Sequence, residues 1–161
     1  MDTLTAIVVT ALLSMLPIFE LRLALPLAIE TFHLHWILAF FITVIFNILV
    51  VIPIFLFLDY LHKHFLKFRW YDKSINFVLN KIRNRSKKVE YSLETFGLLT
   101  LTLFVALPLP GTGAWTGSLI AWALNLKRNR SFLAIAFGVL IAGLIVLILT
   151  LGISGVVNSK F

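Results

Sequence analysis

Two long apolar segments without a charged residue constrain this chain more than any other feature of its sequence. One runs from Trp36 to Leu58 and has 23 residues, and the other runs from Phe132 to Val157 and has 26 residues. At about 1.5 Å per helical residue, each is long enough to cross a hydrocarbon layer of about 30 Å. We therefore predict transmembrane helices over 36–58 and 132–157, in an all-α integral membrane protein that forms a single membrane domain over 1–161.

The composition agrees with a membrane protein and indicates how it is oriented. Apolar residues make up 60% of the chain and charged residues only 13%, against about 25% charged in soluble proteins. Twelve of the fourteen Lys and Arg residues lie in two stretches, 63–88 and 127–130. The positive-inside rule places such stretches in the cytoplasm. The net charge of +7 therefore reflects membrane orientation, and we expect no nucleic-acid partner.

The two remaining apolar regions, 3–29 and 95–126, are interrupted at their centres. The breaks carry Pro17 and Pro26 in the first region and Pro108 and Pro110 in the second. Proline lacks a backbone N–H and interrupts a helix, and each resulting arm is too short to span a bilayer. Both regions are therefore predicted as re-entrant helical hairpins. Two full-length crossings that return to the same side would also satisfy the charge distribution.

The same pattern predicts an internal repeat. Half 1 (1–58) and half 2 (95–161) each contain a hairpin followed by a transmembrane helix, and an offset of 91 residues pairs Pro17 with Pro108. Because the first crossing reverses the chain direction, the two hairpins enter from opposite sides, which makes the repeat inverted. Transporters use inverted repeats to build a midplane site from broken helices. The segment 59–94 between the halves is predicted as a basic amphipathic cytoplasmic loop.

Glu20 and Arg22 are the candidate site residues of the first hairpin. They are the only charges between Asp2 and Glu30, and charges at membrane depth are costly and usually face a cavity or a partner. In one interpretation Arg22 binds an anionic headgroup and Glu20 exchanges a proton. In the other, the hairpin is shallow and both side chains reach the interface. At i, i+2 a direct pair between them requires non-helical backbone.

The second hairpin offers a backbone site. Glycines at 111 and 113 allow close approach of the backbone, and a helix that begins at Ala114 would present free N–H groups suited to phosphate or carboxylate. A tight turn with close helix packing is the structural alternative. The candidate substrate-binding residues are Gly111, Thr112, Gly113, Trp115 and Thr116. We find no arrangement of catalytic residues, and we expect neither enzymatic activity, nor a cofactor, nor a metal.

The two proline-containing stretches, 17–26 and 108–117, resemble the signature stretches of the prokaryotic small multidrug export protein family, a distant relative of the DedA superfamily. The resemblance covers nearly the whole chain. It implies facing re-entrant hairpins, and membership of a group that includes lipid scramblases and polyprenyl-phosphate translocases. It also implies that Glu20 and Arg22 match the acidic and basic positions of the first hairpin.

These observations lead to three functional hypotheses. The first is a transporter in the cytoplasmic membrane of a prokaryote that moves an amphipathic anion, such as a phospholipid or a polyprenyl phosphate, with a proton as a coupling ion. The second is proton-coupled export of lipophilic cations, with Glu20 as the cation-binding carboxylate. The third is a membrane organiser or assembly factor that transports nothing. The expected partners are membrane lipids, the amphipathic substrate and a second copy of the chain, since two-fold homodimers are the commonest oligomers.

Overall fold

The computed structural model describes residues 2–65, 87–109 and 111–158. Every regular element within these ranges is helical, which confirms the all-α prediction. The elements, in chain order, are α1 (Thr3–Met15), α2 (Glu20–Pro26), a π-helical segment (Leu27–Thr31), α3 (Trp36–Leu49), α4 (Val51–Phe65), α5 (Lys87–Ala106), α6 (Ala114–Ala123) and α7 (Arg128–Asn158).

Two of the described helical stretches are long and apolar enough to cross a membrane, at the positions that the sequence predicts. They are Trp36–Tyr60, with a mean hydropathy of 2.9, and Arg128–Ile153, with a mean hydropathy of 3.1. The first stretch contains an irregular residue, Val50, between α3 and α4. Its cause is Pro53, which has no N–H to donate to the carbonyl group of Leu49. Both helices extend past the predicted spans, to Phe65 in α4 and back to Arg128 in α7.

The first broken helix pair consists of α1 and α2, which pack against each other. Leu16 ends α1 with extended backbone (φ −77°, ψ 140°), the conformation that a following proline imposes. The break at Pro17 is therefore confirmed. Helix α2 begins at Glu20, whose φ of +46° lies in the left-handed region that non-glycine residues avoid at a cost of about 1–2 kcal/mol.

Pro26, which we predicted as one of the prolines that break the first region, does not interrupt the helix, and that prediction is wrong. Pro26 has helical backbone and is the last residue of α2, and the chain continues directly into the π-helical segment. A proline withholds its own N–H but can keep helical φ and ψ. Pro26 keeps such helical angles, and the N–H of Leu27 bonds the carbonyl groups of Leu23 and Ala24, so the helix continues.

The second broken helix pair consists of α5 and α6. Helix α5 ends at Ala106, before Pro108, and α6 begins at Ala114; Pro110 lies outside the described residues. We predicted that this pair begins at 95, but α5 begins at Lys87. The predicted loop 59–94 is correspondingly shorter, because α4 covers residues 59–65 and α5 covers 87–94. Residues 87–94 contain no Pro or Gly, so nothing stops the helix. The rest of that loop, 66–86, lies outside the described residues.

The order of elements recurs: a broken helix pair is followed by a long helix in each half. The packing recurs as well. Helix α1 packs on α3 as α5 packs on α7, and the second arms α2 and α6 each contact both long helical stretches. Equivalent elements therefore have equivalent neighbours. The opposite orientation of the two pairs in a membrane stays a prediction.

Close approach of the helices in half 2 depends on two glycines that face Val105. A Cβ at Gly117 or at Gly138 would lie 2.7 Å from a side-chain atom of Val105, a distance that real Cβ atoms do not reach. Val105 is only 1% exposed. Helices α5, α6 and α7 thus meet at one buried side chain.

An ion pair links the end of the first long helical stretch to the start of the second. The Arg128 guanidinium contacts the Asp59 carboxylate and lies 5.6 Å from the centroid of the Phe55 ring. Both charged side chains remain partly exposed, at 47% and 35%. Solvent therefore screens the pair, and its contribution is small.

We expect Asp59→Asn to lower the free energy of unfolding by about 1 kcal/mol or less, because an exposed ion pair and a cation–π contact each contribute little. The measurement is the midpoint of thermal unfolding in detergent micelles, for Asp59→Asn, Arg128→Gln and the double variant. Asp2→Asn, which neutralises an exposed carboxylate outside this contact, is the control. Strict additivity of the two single effects would contradict the contact.

Candidate functional site

The two breaks lie against each other and are joined by four hydrogen bonds. The first break comprises residues 16–19, and the second break comprises residues 107–113. We call these two breaks, together with the hydrogen bonds between their flanking residues, the joint. Each bond crosses from one broken helix pair to the other, over 85 to 100 residues of sequence. The joint therefore couples the two halves of the chain.

Glu20 occupies the N-terminal end of α6. Its Oε1 accepts a hydrogen bond of 3.2 Å from the backbone N–H of Trp115, the second residue of that helix. The first N–H groups of a helix have no partner within the helix, and its N-terminus carries a partial positive charge. Gly113, at the N-cap position, makes no side-chain cap of its own. The carboxylate of Glu20, which is 7% exposed, supplies the cap from the other half of the chain.

Gly113 leaves the space that this carboxylate fills. A Cβ built on Gly113 would lie 1.9 Å from Glu20 Oε2 and 2.7 Å from its Cδ. The φ of Gly113 is +153°, which L-residues rarely adopt. Both the contact and the backbone conformation therefore require glycine at this position.

Arg22 binds the opposite end of the second break. Its Nη2 donates hydrogen bonds to the Oγ1 of Thr112, at 2.6 Å, and to the carbonyl oxygen of Leu107, at 3.2 Å. Leu107 directly follows α5, where carbonyl groups lack intrahelical donors and a cation is favoured. Glu20 and Arg22 thus place opposite charges on the oppositely charged helix ends of the second break.

Trp115 completes the joint in the reverse direction. Its indole Nε1 donates a 2.9 Å hydrogen bond to the carbonyl oxygen of Met15, the last residue of α1. The second arm of each pair therefore satisfies a carbonyl group at the end of the first arm of the other pair. A further bond, from Asn47 Nδ2 to the carbonyl oxygen of Ser14 at 2.8 Å, ties α1 to α3.

The structure describes both side chains of the predicted charged pair, and they do not form an ion pair with each other. Each bonds the second break instead. The helix N-terminus at Ala114, which we considered as a site for a substrate anion, holds the protein's own carboxylate, that of Glu20. The expectation that the two breaks face each other agrees with the geometry of the joint.

A cavity of about 870 Å³ lies beside the joint. Its lining includes three charged side chains, Glu20, Arg22 and Glu30, and three threonines, Thr112, Thr116 and Thr150. Apart from Gly111, the rest of the lining is proline, aromatic or aliphatic: Pro17, Ile18, Phe19, Leu23, Pro26, Pro108, Trp115, Leu119, Val146, Leu149 and Ile153. Such a volume and a mainly apolar wall with a few polar groups are typical of sites for small molecules.

Most of the predicted site residues lie on this cavity. Gly113 does not line it but borders a small void of about 10 Å³ that Glu20 and Asn47 also line. Sequence reasoning missed Glu30 and the contribution of α7. The signal for Glu30 was its position as the next charged residue after Arg22 along the chain. No local signal identifies the α7 residues, because they reach the cavity through tertiary packing alone.

The fold and the cavity define an all-helical membrane protein built from two broken helix pairs and two long apolar helical stretches. A family profile with the description "Putative small multi-drug export protein" matches residues 20–145, from the first residue of α2 into α7. The chain belongs to this family. No curated protein and no solved structure matches the chain.

Proposed function

We propose that this protein carries an amphipathic anion across the cytoplasmic membrane of a prokaryote, and that Arg22 binds the headgroup. The observation that carries the proposal is the environment of the guanidinium. Arg22 lines the cavity, and within the described part of the chain it bonds only uncharged acceptors, both through Nη2. A guanidinium has five N–H donors, so three remain for an anion. Carboxylates and phosphates are the ligands that fit this planar group best.

The walls of the cavity support an amphipathic substrate. Beside the charged groups lie aliphatic side chains of α7, among them Val146, Leu149 and Ile153. These three positions share one face of the helix. An apolar tail packed there would be removed from water, while the headgroup stays at Arg22.

Glu20 would serve as the proton site. Its Oε1 accepts a hydrogen bond from the Trp115 N–H, and the residue borders both the large cavity and the small void. Protonation of the carboxylate would weaken its attraction to the N-terminus of α6 and free the joint to rearrange. If the substrate and the proton both favour the rearranged joint, each strengthens the binding of the other.

The proposal includes the topology. Both broken helix pairs are re-entrant hairpins, the repeat is inverted, and the basic stretches lie in the cytoplasm. The equivalent packing of the two halves supports this arrangement. Inverted-repeat transporters bind their substrates near the bilayer midplane, and the proposal places the joint at that depth. The same proposal includes a relationship to the DedA superfamily. It also includes membrane lipids as partners and a homodimer as the oligomeric state.

Single cysteines in this cysteine-free chain test the topology. We expect an impermeant thiol reagent, added outside intact cells, to label His35→Cys but not Ser74→Cys or Asn129→Cys. His35 and Asn129 are exposed, so burial does not protect them. Permeabilised cells, in which all three should react, are the control. Labelling of Asn129→Cys from outside would show that the second pair crosses the membrane once.

Export of lipophilic cations is the second candidate. The family description favours it, and the cavity lining carries two carboxylates, those of Glu20 and Glu30, against one guanidinium. A lipophilic cation would bind a carboxylate and pack its rings against the apolar wall. In that case the charge of Arg22 would hinder transport rather than support it.

Transport assays on reconstituted vesicles separate the two candidates. We expect the wild type to move a fluorescent phosphatidylglycerol at least tenfold faster than protein-free vesicles do, and Arg22→Ala to lose most of this gain. Arg22→Lys should recover only part of it, because lysine lacks the planar donor fork. Thr112→Val is the matched control, since it removes the 2.6 Å bond to Arg22 but keeps the charge. Normal lipid transport by Arg22→Ala, together with wild-type export of a cationic dye, would reject the anion proposal.

A further inference from the structure

The small void beside the joint lies where α2, α3 and α7 pack together. Its volume of about 10 Å³ is the space that about one water molecule needs. Three of the residues that line it have polar side chains, Glu20, Arg22 and Asn47, and the others are glycine or aliphatic. Asn47 lines this void but not the large cavity. The void therefore brings Asn47 to the carboxyl group that we propose as the proton site.

The side-chain amide of Asn47 has an acceptor left over in this buried place. Asn47 is only 2% exposed, and its Nδ2 donates a 2.8 Å hydrogen bond to the carbonyl oxygen of Ser14. Because a carbonyl oxygen can only accept, the amide nitrogen rather than Oδ1 faces Ser14. Within the described part of the chain, Oδ1 accepts no hydrogen bond. A buried acceptor without a donor is costly, so a small ligand that donates would be favoured there.

Glu20 has an unpaired oxygen as well. Its Oε1 accepts the Trp115 N–H, whereas none of the described residues donates a hydrogen bond to Oε2. Oε2 is the oxygen nearer to the Cβ position of Gly113, at 1.9 Å against 2.9 Å for Oε1, and Gly113 lines the void but not the large cavity. Two buried acceptors, Oε2 and Asn47 Oδ1, thus belong to residues that line a space of the size of one water molecule.

We propose, on the basis of the function above, that one water molecule binds in this void between Glu20 and Asn47 and enables Glu20 to take up and release its proton. When Glu20 is charged, the water donates one hydrogen to Oε2 and the other to Asn47 Oδ1. Arg22, which lines the same void, has N–H groups to spare for the water oxygen. These three partners match the roughly three hydrogen bonds that a buried water makes.

The same water satisfies the protonated form of Glu20. When a proton adds to Oε2, the new O–H group donates to the water oxygen, and the water keeps its bond to Asn47 Oδ1. The water only reorients, and no bond within it breaks. Neither protonation state then leaves the buried carboxyl group without a partner. Asn47 is in this way a positioning residue, which acts on Glu20 through the water.

Few other charged groups act on Glu20. Arg22 shares the void with it, and Glu30 lines the large cavity but not the void. Helices α1, α3 and α6 contain no charged residue and no histidine. The charged residues of α5 and α7 among those described lie at 87–94 and 128–130, near the start of each helix, whereas both helices reach the void much further along the chain. Arg22 and the hydrogen bonds of the carboxyl group itself therefore govern its proton uptake.

The first experiment detects the water without any transport assay. It measures the transfer of magnetisation from water to side-chain amides by solid-state NMR, on protein with isotope-labelled asparagine in lipid bilayers, and Asn47→Leu assigns the Asn47 signal by its loss. We expect transfer to Asn47 in the wild type and its loss in Ala142→Val, whose added methyl groups occupy the void. Ala134→Val is the matched control and should keep the transfer, since Ala134 is a buried alanine of the same helix that does not line the void.

The second experiment measures the ratio of lipid transport with a pH gradient to transport without it. We expect Asn47→Leu, which has a similar volume but no amide, and Ala142→Val to lose the response to the gradient, as Glu20→Gln should. Ala134→Val should keep the wild-type ratio. Asn47→Ser should recover part of the response, because a hydroxyl group can accept from the water and leaves space for it.

The outcomes separate this inference from the proposal on which it rests. No transfer to Asn47 in the wild type would overturn the water site. A wild-type ratio in Ala142→Val, with the transfer lost, would overturn the role of the water in proton uptake. An equal fall of both rates in Asn47→Leu, with the ratio kept, would contradict the positioning role and leave Asn47 as a tie between α1 and α3. A wild type that moves no lipid removes the proposed function and the proton role with it, whereas the NMR experiment still decides the water site.

Discussion

Substitution of Gly113 by alanine is expected to disrupt the joint. The added Cβ would lie 1.9 Å from Glu20 Oε2, so either the carboxylate or the start of α6 has to move. The φ of +153° adds strain for any L-residue. Together, overpacking and strain are expected to lower the free energy of unfolding by about 2–5 kcal/mol. The measurement is the loss of the monodisperse, folded fraction with temperature in detergent, together with transport in vesicles.

Gly111→Ala is the matched control for this prediction, because it separates backbone strain from steric conflict. Gly111 has a φ of +82°, but a Cβ there meets nothing within 4 Å. Gly111→Ala should therefore lower the free energy of unfolding only by the backbone strain, about 1–2 kcal/mol. A double variant, Gly113→Ala with Glu20→Ala, should recover part of the loss, because the clashing carboxylate is gone. Equal effects of Gly113→Ala and Gly111→Ala would show that the contact with Glu20 has no structural importance.

Glu20→Gln is expected to leave the fold intact and remove the pH dependence of transport. The amide oxygen of glutamine can still accept a hydrogen bond from the Trp115 N–H, so the joint keeps this bond. The glutamine side chain, however, does not take up a proton in the pH range of the assay. The wild type should respond to an imposed pH gradient, whereas Glu20→Gln should transport at one rate with or without the gradient. Lipid movement in vesicles, measured with and without the gradient, provides the comparison.

Glu20→Ala separates the bond from the charge. It removes the acceptor and leaves the backbone N–H of Trp115 without its cap, at a cost of about 1–3 kcal/mol. We therefore expect Glu20→Ala to lose both stability and transport, and Glu20→Gln to lose only the response to the gradient. A Glu20→Gln variant that still follows the pH gradient would rule out Glu20 as the proton site.

The sequence predicted those parts of the fold that depend on local chemistry. Uncharged length defined the two long spans, and the steric effect of a proline on the preceding residue located the breaks at Pro17 and Pro108. Pro26 shows the limit of this reasoning. A proline can end a helix or be accommodated within one, and the choice depends on the packing around it. The ends of α4 and α5 were missed because nothing local stops a helix there.

The candidate site was predictable in its residues but not in its pairing. The cost of a charge at membrane depth identified Glu20 and Arg22, and helix-terminus electrostatics identified the N–H groups near Ala114. Only the tertiary structure shows that the Glu20 carboxylate accepts a hydrogen bond from one of these N–H groups, because the bond from Trp115 to Glu20 spans 95 residues of sequence. The left-handed backbone of Glu20 could not be predicted, because a glutamate residue gives no sign of that conformation. The α7 wall of the cavity is equally a product of packing.

The reciprocal bonding of the two breaks has a consequence for biosynthesis. Met15 and Glu20 obtain their partner only when Trp115 has been made, 100 and 95 residues later. At about 5–20 residues per second, the ribosome needs roughly 5–20 s to synthesise that interval. Throughout it, the first broken helix pair exposes an uncapped carbonyl group and a carboxylate, which lipid does not solvate. The nascent first half therefore depends on the insertion machinery or on interfacial water until the second half arrives, and the two halves complete their insertion as one unit.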